Sequence, residues 1–388
     1  MQTHIVMYLR KFWAVACLAM LFCATPSISD HGIAFGYDVP QPDEDMAYDL
    51  AQTVKNPVVA GILAKASLES IMASAPDTYG AAPEGQALPD RGANAAPTAP
   101  GGGPSEADME RLARMTSNPL GAAWMFWFQN DTTELRGDLV PGGQIVNTTR
   151  FQPVMSFPID VGNDEWNFIV RPVFQYHSVP LDRRVGNLIG KTPEGVAADP
   201  ELKNIAATAW DDRTSGFGDT ALLTMLGPSR EDGLIWGFGA SQIFPTAEED
   251  VLGQGKWQAG PAFLAARLAP NPGGFNYGAL AQHWWSYGGD SDRRSTNHSD
   301  IQYFINYRLS ATELIGMSPN IRIDWEQDSS NRLTLPIGLG YSNIYMIGPL
   351  PVRVAIEGQY SVISPDKVGS EWNVRLLFIP VIPNPFAR

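Results

Sequence analysis

The sequence predicts an all-β chain: a transmembrane antiparallel up-and-down β-barrel of about 12 strands, with a short helical and linker segment ahead of it. Three observations lead there. From Gly121 onward apolar and polar residues alternate with period two. The connections between the alternating segments are long and short in turn. No later segment carries an apolar run long enough for a transmembrane helix.

The start of the chain reads as an export signal. Arg10 and Lys11 precede an apolar stretch, Phe12 to Ala24, that is too short to span a bilayer as a helix of the mature protein. Ser27 and Ser29 supply the small residues that place cleavage before Asp30, so residues 1–29 are expected to be a cleaved signal peptide. Both cysteines, Cys17 and Cys23, fall inside it, and Phe22 makes a poor lipoprotein box ahead of Cys23. The exported chain then holds no cysteine, and a closed hydrogen-bonded barrel is stable without disulfides. Loss of Arg10 and Lys11 takes the formal net charge from -14 to -16, which argues against nucleic acid as a partner.

Residues 30–118 form a second segment, expected on the periplasmic side. Asp49 to Ser74 has helical spacing (Leu50, Val54, Val58, Ile62), whereas residues 75–104 are rich in Ala, Pro and Gly and cannot bury a core, so they read as a linker. A short helix from Ser105 to Thr116 follows, with Ser105 as its cap and Glu106 and Asp108 in its first turn. Leu-Ala, four residues and Asn-Pro occur both at Leu50 to Pro57 and at Leu112 to Pro119. The recurrence fits an internal duplication or a chance repeat of helix-then-turn chemistry.

Residues 119–388 carry the barrel. Val352, Val354 and Ile356 alternate with Arg353, Ala355 and Glu357; Ile301, Tyr303 and Ile305 with Gln302, Phe304 and Asn306; Phe151, Pro153 and Met155 with Arg150, Gln152 and Val154. Strand centres are expected near Trp127, Gln152, Val170, Leu222, Phe238, Phe263, Leu280, Ile305, Arg322, Ile337, Ile356 and Leu376. Links 131–143, 178–214, 246–255, 288–299, 326–331 and 363–370 are long or polar, whereas 158–164, 228–233, 270–274, 310–312 and 348–351 are tight turns. With the tight turns in the periplasm, Trp257, Trp285, Tyr287, Trp325 and Trp372 fall near the outer interface and Trp166, Tyr307 and Phe378 near the inner one, as two girdles.

Several of these segments share their wording with a known family. Trp166 to Pro172 (WNFIVRP), Gly216 to Asp219 (GFGD), Trp236 to Gly239, Phe244 to Ala247, Ala259 to Ala262, Trp284 to Ser286 and Leu335 to Gly338 occur in an order and spacing that resembles the bacterial outer-membrane transporter family, also called the MetA-pathway of phenol degradation family and sometimes labelled neuromedin U. The resemblance covers roughly Asn118 to the C-terminus. It implies an outer-membrane barrel linked to uptake of aromatic or other hydrophobic compounds. The segment before residue 118 is longer than the family leads one to expect. The closing Phe386-Ala387-Arg388 also sets the terminal aromatic, which the barrel assembly machinery reads, two residues in.

Catalytic chemistry has little to stand on. His31, His177, His283 and His298 are the histidines after the signal, and the sequence has no HxxxH, HExxH or cysteine cluster, so neither metal nor cofactor is expected. His283, Ser286 and Asp290 are the nearest thing to a hydrolase set, but positions three apart on a strand face opposite ways. Gly216-Phe217-Gly218-Asp219 lacks the lysine and following helix of a phosphate loop and reads as a bend.

The functional candidates are therefore polar residues expected to face the lumen: Arg150, Arg171, Gln175, Arg322, Asp324, Arg353, Glu357 and Arg375. On the lipid side near the bilayer midplane each charge would cost about 2–4 kcal/mol. Two roles stay open for them, ion selection and mutual pairing that fills the barrel. The expectation is a pore or transporter for small-molecule solutes in the Gram-negative outer membrane, not an enzyme, with outer-membrane lipid and the barrel assembly machinery as partners. The alternatives are an anchoring barrel without conductance and, behind it, an outer-membrane hydrolase.

Overall fold

The computed structural model describes residues 123–230, 232–384 and 386. The expected signal peptide, the N-terminal helices, the linker and the boundary at residue 118 lie outside the described residues.

The described strands form one antiparallel sheet that closes on itself. In chain order they are β1 (Ala123–Arg136), β2 (Gln144–Val161), β3 (Asp164–Val179), β4 (Thr214–Phe217), β5 (Thr220–Pro228), β6 (Leu234–Phe244) and β7 (Lys256–Arg267). Then come β8 (Phe275–Gly289), β9 (Asn297–Arg308), β10 (Leu314–Met317), β11 (Asn320–Asp324), β12 (Leu333–Ile347), β13 (Leu350–Ile363) and β14 (Gly369–Pro383). β4 and β5 pair one after the other along β3, as a single wall strand broken at Gly218-Asp219. β10 and β11 do the same along β9 and β12, with the break at Ser318-Pro319. The wall is thus a 12-strand barrel, and pairing of the first strand with the last, β1 with β14, removes the free edges. The twelve positions expected as strand centres fall one to each wall strand.

Turn chemistry sets the two ends. At one end the chain reverses through pairs such as Gly162-Asn163 and Gly348-Pro349, whose glycines take φ +65° and +60° with open space around them, so the left-handed backbone is what calls for glycine. The other end carries the long connections. The longest, residues 180–213, is a small helical cap: α1 (Pro193–Ala198) and α2 (Pro200–Ala207) each begin with proline after a side-chain cap, Thr192 and Asp199. Leu181, Val185, Leu188, Val196 and Ile205 from this cap pack with Val251 and Leu252 of the next long loop and with the rim residues Leu135, Val146 and Val179.

One boundary differs from expectation. The link placed at 131–143 is shorter, because β1 continues to Arg136. Its last turns, Asn130 to Glu134, are polar on both faces and so lose the period-two signal, but they still pair residue for residue with β2.

Candidate lumen site

Inside the barrel the side chains fall into layers. Toward the short-turn end the inward positions are apolar: Met125, Trp127, Ile169, Leu223, Leu264, Phe304 and Ile379 belong to one buried cluster. This is a difference from the largely polar inner face expected, and β5 shows why. Ala221 to Leu226 is apolar on both faces apart from Thr224, so alternation alone does not tell lumen from lipid.

Near the middle of the strands lies a polar layer centred on Asp131. Its Oδ2 accepts from Arg150 Nη1 (2.5 Å) and Gln129 Nε2 (2.5 Å), and its Oδ1 accepts from Arg375 Nε (2.8 Å) and Asn373 Nδ2 (3.0 Å). Arg150 also donates from Nε to Gln175 Oε1 at 3.3 Å, and Gln175 Nε2 donates to the carbonyl of Asp219 at 2.9 Å. Arg375 reaches across to β10 and β11, where Nη1 donates to Ser318 O (2.8 Å) and Nη2 to Asn320 Oδ1 (3.3 Å). Glu357 accepts from the backbone N–H (2.9 Å) and hydroxyl (2.8 Å) of the same Ser318. Two charge-assisted donors from different strands on one carboxylate make this a tie across the wall as well as a lumen feature.

The eight sequence candidates are placed as follows. Arg150, Gln175, Glu357 and Arg375 meet in the central layer. Arg171 is buried on β3 between Ile169 and Val173. Arg353 sits lower, donating from Nη1 to Ser342 Oγ at 3.1 Å, while Arg322 donates to Ser370 Oγ at 2.9 Å. Asp324 lies at the long-loop rim, 2.8 Å from Arg294 Nη2. Sequence reasoning passed over Asp131 itself and also Asp300, which accepts from Asn320 Nδ2 at 2.8 Å. The inward run Met125, Trp127, Gln129 leads on to Asp131, but its polar outward neighbours Asn130 and Thr132 remove the alternation that would have marked it.

Beside and below the polar layer a cavity of about 60 Å³ is lined by Arg353, Glu357, Arg375, Trp127, Phe304 and Leu314, smaller than the roughly 150 Å³ that holds a benzene-sized solute. His283 and Ser286 do not converge: His283 Nδ1 meets Ser299 Oγ at 2.7 Å, and Ser286 Oγ accepts from Thr296 N at 2.9 Å.

The loops are anchored to the rim by Asp219, at the break between β4 and β5. Its carboxylate accepts from Gln254 N (2.7 Å) and Ala247 N (3.2 Å), which pins the 245–255 loop. Arg293 Nη1 holds the same loop through the Gly253 carbonyl at 2.5 Å. Asp219→Ala removes both acceptors, so hydrogen exchange in residues 245–255 should rise by about fivefold or more; unchanged exchange would contradict the assignment.

No family model matches the chain, and no curated protein matches it. Among solved structures it is similar to an outer-membrane channel from Pseudomonas putida F1, at 13% identity and a TM-score of 0.47 over 69% of this chain and 97% of that one. It is also similar to a Pseudomonas aeruginosa FadL homologue, at 10% identity and a TM-score of 0.34 over 68% of this chain and 90% of that one. The P. putida toluene transporter TodX aligns at 7% identity with a TM-score of 0.34, over 73% of this chain and 95% of that one.

Proposed function

We propose that the chain is an outer-membrane channel for small, largely apolar molecules, with the long loops outside and the short turns in the periplasm. The outer wall carries the membrane reading. Leu339 (66% exposed), Ile356 (54%) and Phe263 (51%) lie in mid-strand on the outward face, within an apolar surface that runs round the barrel. A water-soluble protein does not leave so continuous an apolar surface uncovered. Trp257, Trp285, Trp325 and Trp372 stand at the long-loop end of that wall, as an interfacial girdle does.

The apolar inner layer supports an apolar solute, and the link to aromatic compounds rests on the family resemblance of the sequence. Lipid and the barrel assembly machinery are the partners this reading requires. The Asp131 layer favours a resting state that is closed, and it also gives substance to a second reading, an anchoring barrel that conducts nothing. Reconstitution separates the two. A channel takes up a small aromatic solute into proteoliposomes faster than lipid alone, whereas an anchoring barrel does not.

Arg353 borders the cavity, and a fixed charge on the wall of a pore sets its ion preference. Arg353→Gln should move the reversal potential in planar bilayers toward lower anion preference, by several millivolts under a tenfold salt gradient. An unmoved potential in a conducting barrel removes the selectivity role.

A further inference from the structure

At the long-loop end, the outward face of β1 to β4 differs from the rest of the wall. Near the long-loop ends of other strands aromatic residues are exposed on the outward face, as at Trp257, Trp285, Tyr360 and Trp372. On β1 to β4 the register instead aligns Thr132, Asn147, Ser178 and Ser215 in one outward row. Asn147 Nδ2 donates to Thr132 Oγ1 and Ser215 Oγ to Ser178 Oγ, each at 2.9 Å.

Above this row stands Arg213, exposed, just ahead of β4. It donates from Nη1 to Ser178 O (2.9 Å) and from Nη2 to Ile145 O (2.7 Å). Its acceptors are backbone carbonyls and a hydroxyl, so the guanidinium is held in place with no carboxylate bonded to it; the neighbouring Asp212 accepts instead from the backbone N–H of Arg213 at 2.7 Å. Below the row the surface turns apolar. Tyr176 and Phe217 pack edge to face at 5.4 Å, and further down Phe128, Phe151 and Phe174 form a stack with centroids 4.9 and 6.4 Å apart. From Ser178 to Phe174 is four residues, about 13 Å along the wall.

We propose that this strip binds a phosphorylated glycolipid of the outer leaflet, with its phosphate on Arg213, its sugar hydroxyls and amides along the Asn147, Ser178 and Ser215 row, and its acyl chains over Phe174. The proposal rests on the long-loop mouth facing outward. Charge complementarity calls for an anion, and the graded order of cation, hydroxyls and aromatic rings matches a sugar-bearing amphiphile lying along the wall. A simple phospholipid offers the anion but little to satisfy the polar row, and a second copy of this strip would set one Arg213 against another.

The test uses the full chain in detergent, native mass spectrometry and bis-phosphorylated lipid A as the probe, with phosphatidylglycerol in parallel. One lipid A should be retained per barrel. Arg213→Gln should lower the bound fraction at least fivefold, whereas Arg267→Gln, which removes an exposed arginine at the opposite end of β7, should leave it unchanged. Phosphatidylglycerol should bind several-fold more weakly. Equal retention by R213Q and the native chain, equal retention of the two lipids, or no retention of lipid A overturns the proposal. Heat-modifiable migration on a gel reports whether each variant is a folded barrel. If R213Q is not, Ser178→Ala with Ser215→Ala is read in its place, with the same loss expected. A chain that never inserts into membranes removes the channel reading instead.

Discussion

Asp131→Asn should destabilise the barrel by roughly 3–5 kcal/mol, because removing one member of a buried ion cluster leaves the others charged and uncompensated. Arg150 and Arg375 both lean on that carboxylate, and all three side chains are almost wholly buried. Tryptophan fluorescence during reversible guanidinium unfolding in vesicles measures the loss. The triple variant Asp131→Leu, Arg150→Met, Arg375→Met should recover most of it, since apolar replacement of a whole buried ion cluster is often neutral or better. A single-variant cost below about 1 kcal/mol would mean that water already reaches the cluster, which would place an open passage at the layer.

Leu339→Arg should cost about 2–4 kcal/mol in the same assay, and Phe275→Arg at most about 1 kcal/mol. Both side chains are outward and exposed, 66% and 57% respectively, so packing does not distinguish them. Depth does: Leu339 is in the middle of β12, and Phe275 is the first residue of β8, at the short-turn end. A wall facing water would tolerate arginine at either position. Equal and small effects would therefore remove the membrane reading together with the channel it supports.

These two experiments probe features that differ in how far the sequence alone revealed them. The outward apolar wall was legible because its signal is local. Phe151, Pro153 and Met155 against Arg150, Gln152 and Val154 already separate two faces, and Gly162 or Gly348 with its neighbours already marks a reversal. The Asp131 cluster was not legible. Its carboxylate meets Arg150 from 19 positions away and Arg375 from 244, and no local pattern couples residues at such separations. The hydrophobic cap over residues 180–213 was equally hidden, because its apolar residues are scattered through a polar loop and gain meaning only against Val251, Leu252 and the rim.

By itself, then, the sequence determined the class of fold, the number of wall strands and the end at which the chain turns sharply, since strand period and turn geometry are properties of a few adjacent residues. Tertiary structure decided the rest: that β1 closes on β14, that the lumen is apolar toward one mouth and ionic at the middle, and that closure sets Asp131 opposite Arg375 on the strand across from Glu357. The physical reason is closure. Which inward side chains come to one level depends on the tilt and stagger with which the whole sheet joins itself. Those are fixed by every strand together and are written in none of them alone.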